Sequence, residues 1–209
     1  MRFRRVETNP LTPRTLFRST LGAVLIGVGA AGMIRASVGV TPWDVLTTAV
    51  SDLADITVGQ SGALLTVIVL AACVPFGRLP GWGNLTTMFG VGVAVDLTLA
   101  ALEEPGTLLA RVALYAVSVP VVCLGVALVV RADIGVGPLE MVMLVATDRR
   151  TPLVVARVVI EATTLVLGWV LGGALGVGTA VFALTAGPLI AMGLRLQPAG
   201  QPSREAIPG

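Results

Sequence analysis

A ten-residue pattern occurs twice in this chain, 96 positions apart. Arg35-Ala36-Ser37-Val38-Gly39-Val40-Thr41-Pro42-Trp43-Asp44 returns as Arg131-Ala132-Asp133-Ile134-Gly135-Val136-Gly137-Pro138-Leu139-Glu140. Five positions are identical, and a carboxylate closes each copy. Each copy follows an apolar stretch and precedes a short amphipathic one, so the chain reads as two related halves. In a membrane protein, such a duplication places the functional site where the halves meet.

The rest of the chain supports a membrane setting. It is 55% apolar and only 12% charged over 209 residues, with a mean hydropathy of +0.92. A soluble domain carries about twice that charge. All 14 basic residues are Arg, and there is no His. The commonest metal ligand and the commonest neutral-pH base are therefore missing. A net charge of +2 is too small to point to nucleic acid. Cys73 and Cys123 fall inside apolar stretches and read as core residues.

A bilayer needs about 20 apolar helical residues per crossing. Six segments meet this, at roughly 16–34, 60–76, 85–102, 112–130, 153–171 and 177–194. Two shorter ones, roughly 42–55 and 138–147, read as helices that dip in or lie on the surface. With the N-terminus inside, 12 of 14 Arg fall on the cytoplasmic side, leaving only Arg35 and Arg111 outside. Trp43, Trp169 and Tyr115 then fall at the outer interface and Trp82 at the inner, as aromatic anchors. Eight spans would give nearly the same count, so length and polarity decide for six. Three spans per repeat is an odd number, and the second half must enter from the opposite side.

The expected fold is an all-α integral membrane protein. Six transmembrane helices form two three-helix inverted repeats, each with a short re-entrant or interfacial helix. Residues 1–15 form an Arg-rich cytoplasmic N-terminus, 16–102 the first repeat, 108–194 the second, and 195–209 a cytoplasmic tail. The first span is part of the duplicated unit, so it reads as a retained span rather than a cleaved signal peptide.

Each block Arg-Ala-x-x-Gly-Val-x-Pro is followed by a Gly-centred stretch. These are Gly83-Asn84-Leu85-Thr86 leading to Gly92 and Asp96, and Gly178-Thr179 leading to Gly187-Pro188. With these, about residues 20–195 resemble the YitT/YczE-type family of bacterial multi-pass membrane proteins. Asn84 departs from the Gly-Thr that this family has there, as at Gly178-Thr179. The resemblance implies a polytopic inner-membrane protein and brings no substrate with it.

Several residues are candidates for binding a substrate or ion. Thr41-Pro42-Trp43-Asp44 spells a helix start, and Gly137-Pro138-Leu139-Glu140 spells the same. Preceded by Gly39 or Gly135 and by Arg35 or Arg131, such starts can hold an anion through free amides and the helix dipole. Alternatively, Asp44 and Glu140 satisfy those amides themselves, and the two Arg pair with them or reach headgroups. Asp96 and Glu161 fall within spans, where a lone ionised carboxylate costs at least ~2.5 kcal/mol. Glu161 has Arg157 four residues earlier on one helix face. Asp96 has no cation within four residues, which makes it a proton-coupling candidate unless a neighbouring helix takes up its carboxyl. Gly27-Val28-Gly29-Ala30-Ala31-Gly32 fits a dinucleotide fingerprint in letters only. It sits inside an apolar span and reads as close helix packing, as does Gly168. Pro120 and Pro188 bend their spans.

The leading expectation is a small-molecule or ion secondary transporter. The alternative is a non-transporting membrane scaffold or regulator that binds partner proteins. No nucleophile beside a base and no metal-ligand cluster is legible, so an enzyme, a metal and a cofactor are not expected. The expected partners are the lipid bilayer and an unknown small molecule or ion, with a homodimer or a partner membrane protein as further options. The expected place is the bacterial cytoplasmic membrane, with both termini cytoplasmic.

Overall fold

The computed structural model describes residues 4–5, 11–135, 137–148 and 151–196. These form eight α-helices: α1 Pro13–Ala36, α2 Pro42–Ala54, α3 Val58–Cys73, α4 Trp82–Ala101, α5 Leu108–Ala132, α6 Pro138–Asp148, α7 Leu153–Val170 and α8 Val177–Leu196. A short 3-10 turn, Val74–Phe76, extends α3. A two-residue parallel bridge joins Arg4–Arg5 to Arg78–Leu79. Arg2, Arg149, Arg150 and Arg204, which enter the charge count, lie outside the described residues, as does the tail from 197 onward.

Each helix begins within four residues of its expected start. Caps explain where several begin and end. Thr12, Thr41, Thr57 and Thr107 are N-caps whose side chains accept a backbone N–H. Ser37, Asp55 and Asp133 close α1, α2 and α5 in the left-handed conformation. Ser37 and Asp133 occupy the same position in the two copies of the repeat, with φ of 52° and 51°.

α1 and α5 form the centre and run antiparallel. Gly22 of α1 meets Gly125 of α5, and Gly29, further along α1, meets Ser118, earlier in α5. A Cβ on Gly22 would stand 2.7 Å from the Gly125 carbonyl oxygen. Glycine is what lets the two backbones approach this closely. α4 packs parallel to α1, with Ser19 Oγ 2.8 Å from Thr86 Oγ1 near one end and Arg35 on the Leu99 carbonyl at the other. α8 packs parallel to α5 in the same way, through Tyr115 and Gly178 and through Arg131 and Leu194.

The short helices cross over between halves: α2 docks on α7, and α6 on α3. Gly168 of α7 lies against the α2 backbone at Val45–Leu46, the close approach expected of it. On the other side Leu70 and Cys73 of α3 pack with Met141 and Val145 of α6. Neither short helix lies loosely on a surface. Val45, Ala49 and Met141 are wholly buried, because each helix is gripped by its own half and by the other.

The exterior is apolar. Leu97, Leu184 and Val177 are exposed at 66%, 79% and 80%. Among the described residues five helices, α1, α3 with its 3-10 extension, α4, α5 and α8, are long and apolar enough to cross a bilayer. Apolar surface on this scale belongs in lipid, and the chain is a membrane protein. Tyr115, expected as an interfacial anchor, is instead 6% exposed and donates a 2.5 Å hydrogen bond to the Gly178 carbonyl. A buried phenol needs such a partner.

Candidate functional site

Between the halves lies a cavity of about 370 Å3 to which all eight helices contribute. The start of α2 (Thr41, Pro42, Trp43, Asp44) and the segment leading into α6 (Gly135, Gly137, Pro138, Glu140) both line it. The repeated pattern thus supplies two walls of one space. Trp43 faces this cavity rather than acting only as an anchor at the interface.

The α2 start forms as its letters spell it. Thr41 is the N-cap and Pro42 the first residue. Thr41 Oγ1 accepts the Asp44 N–H at 3.1 Å and donates to Asp44 Oδ2 at 2.7 Å. Asp44 therefore serves its own helix start. It stands on a short helix outside the long apolar ones, and burial pushes its carboxyl up to about 6 against the pull of Thr41. Glu140 takes the matching position. Its carboxylate folds back over Gly137, where a side chain would collide with it.

Matched turns support both starts. The Gly178 N–H donates to Val38 O at 2.9 Å, and the Gly83 N–H donates to Ile134 O at 2.9 Å. Gly39, at φ +148°, packs on the Gly178–Thr179 backbone, and Gly135 packs on Gly83–Asn84. Thr179 Oγ1 accepts the Val40 N–H of the other half at 3.2 Å. Asn84 Oδ1 accepts Gly81 N–H at 2.7 Å and caps its own helix.

Arg35 and Arg131 do not line the cavity, nor do they pair with Asp44 or Glu140. Each ends its helix and donates to a carbonyl in the last turns of the parallel neighbour, Leu99 for Arg35 and Leu194 for Arg131. A cation is stabilised at a helix C-terminus, where free carbonyls and the dipole converge. Arg35 also lies 3.9 Å from Glu104, as does Arg111.

Asp96 faces α3 rather than the cavity. Its Oδ1 accepts the Gly59 N–H at 2.8 Å and its Oδ2 the Thr57 hydroxyl at 2.6 Å. It is a second cap on α3 supplied by α4. Arg157 and Glu161 form the expected ion pair on α7, at 2.9 Å, and both line the cavity. In the first half their counterparts, 95 positions earlier, are Gly62 and Thr66, which line it too. The space is shared by both halves, but α7 alone gives it a charged pair.

Cys73 and Cys123 are free and buried in separate clusters. Among the described residues no three His, Cys, Asp or Glu converge as a metal set. Gly27, Gly29 and Gly32 lie inside α1, against α4 and α5. The lining residues Asp133, Met88 and Phe182 escaped the reading of the sequence. For Asp133 a signal existed in its match to Ser37 across the repeat. For Phe182 and Met88 there was none, since a lone apolar residue in a span looks alike whether it faces lipid or a cavity.

Comparison with known proteins gives relatives of the same size. The profile of a family of unknown function (DUF6198) matches residues 13–195. A Haemophilus influenzae protein described as "Uncharacterized protein" is 26% identical over 167 residues, covering 79% of this chain and 77% of its own. The "Uncharacterized membrane protein YczE" of Bacillus subtilis is 26% identical over 176 residues, covering 83% of this chain and 82% of its own. The "Uncharacterized protein YyaS" of the same organism is 25% identical over 176 residues, covering 81% and 87%. The similarity to YczE agrees with the resemblance carried by the two repeated blocks. No solved structure matches.

Proposed function

This chain belongs to the family of unknown function DUF6198, and on that footing we propose that it is a small-molecule or ion secondary transporter of the bacterial cytoplasmic membrane. The observation that carries this reading is the shared cavity, walled by the same repeated motif from both halves. The antiparallel packing of α1 on α5, with α4 and α8 matched around them, supports two inverted halves of three spans, α7 being the sixth span. In such a plan one half rocks against the other around a central site. Both termini are then cytoplasmic, which agrees with the Arg distribution. The paired glycines at the α1–α5 contact offer a smooth face on which the halves can move. The short helices, each held by the opposite half, couple the movement of one half to the other.

The test is electrical. Purified protein is reconstituted into vesicles on a solid-supported membrane and perfused with a panel of metabolites and ions. The expected outcome is a saturable transient current with at least one of them, absent from protein-free vesicles. Silence across the panel, together with a protein that co-purifies from the native membrane, would replace the carrier with a scaffold.

A further inference from the structure

The charges around the cavity are unequal. Asp44, Asp133, Glu140 and Glu161 line it, while Arg157 is the one basic side chain there among the described residues. Arg157 is already engaged by Glu161 at 2.9 Å. Arg157 also acts on Glu140 at longer range, so one cation faces all four acids. Asp44 and Glu140, one from each half, have no salt bridge within 4.0 Å among the described residues. The two Arg that could have favoured an anion, Arg35 and Arg131, are committed to the ends of α4 and α8. Most of the remaining wall is apolar, and Trp43 and Phe182 add aromatic faces to it. A site of this size and polarity suits a small organic molecule. A bare divalent ion needs six or more oxygens in one shell, and the acids here do not converge in that way.

We propose that the cavity binds an organic cation with an apolar body, a quaternary or protonated amine, whose charge lies toward Asp44 and Glu140 and whose body lies against Trp43 and Phe182. Aromatic faces attract such cations, and do so more strongly away from water. This assignment deepens the transporter reading and rests on the same cavity.

Benzyltrimethylammonium is the probe, with benzenesulfonate as an anion of similar size and tetramethylammonium as a cation without a ring. Melting temperatures are measured on the purified protein in detergent. Benzyltrimethylammonium is expected to raise the melting temperature saturably, tetramethylammonium to do so only at much higher concentration, and benzenesulfonate not at all. In Glu140→Gln the apparent Kd should rise at least about tenfold. The comparison of charge sign uses the parent protein, so it stands even where a variant fails to fold. A shift with benzenesulfonate instead, equal shifts with both cations, no shift with any probe, or an unchanged Kd in a well-folded Glu140→Gln overturns the assignment. Failure of the transporter reading looks different: the ammonium binds, yet no current follows in vesicles. A current carried by anions alone would retain the transporter and remove the cation.

Discussion

Arg35 and Arg131 each end one helix and reach carbonyls near the end of another. Their repetition therefore reflects a repeated way of closing a helix pair. Asp96 shows the converse. Its counterpart in the second half is Ala191, and the partner it caps, Thr57, corresponds to Pro152. Where Pro152 starts α7 with no side-chain cap, Thr57 and Asp96 hold the start of α3. Asp96→Ala should remove both hydrogen bonds and lower stability by about 1–3 kcal/mol, read as a lower melting temperature in detergent. Asp96→Asn should lose less, and whatever current the protein carries should keep its ion dependence. A lost ion dependence would restore Asp96 as a coupling group.

The element that most constrains the arrangement is the α1–α5 pair. Without a hydrophobic force between helices in lipid, close packing has to supply the association, and small residues permit it. Gly22→Leu should force the pair apart, because the added atoms meet the Gly125 carbonyl oxygen and the Val129 side chain. The expected loss is about 1–3 kcal/mol, seen as a lower melting temperature. The same change at Gly106, which has open space around it, should cost much less. The short helices belong to this level too. Their lengths, 13 and 11 residues, fall short of the ~20 that a crossing needs, yet their burial follows from docking on α7 and α3, which no local pattern encodes.

At the level of the molecule, the question is on which side each matched turn lies. Ser37 and Asp133 are equivalent positions, separated by three crossings if α2 does not span and by four if it does. In a variant lacking Cys73 and Cys123, Ser37→Cys should react with an impermeant thiol reagent from outside the cell. Asp133→Cys should react only after the inner face is opened. Labelling of both from one side would mean eight spans and parallel halves, and would remove the rocking mechanism.

Length, hydropathy and the doubled motif were enough to place all eight helices, because apolar run length and capping residues are local properties. The Arg157–Glu161 pair was legible for the same reason, being set by the pitch of one helix. Even the cap on α3 left a trace, since Thr57-x-x-Gln60 is a capping box. What lay beyond the sequence was which carboxylate would face a cavity. Asp96 and Glu161 look alike in their spans, yet one meets the Gly59 amide and the Thr57 hydroxyl at the start of α3 and the other opens onto the central space. That difference arises from how α4 and α7 are rotated when they pack, a matter of contacts between segments far apart in the chain. The burial of Tyr115 and the placing of Arg35 and Arg131 away from the cavity follow from the same packing. Local spacing sets what a helix is, and the neighbours it meets set what each of its faces does.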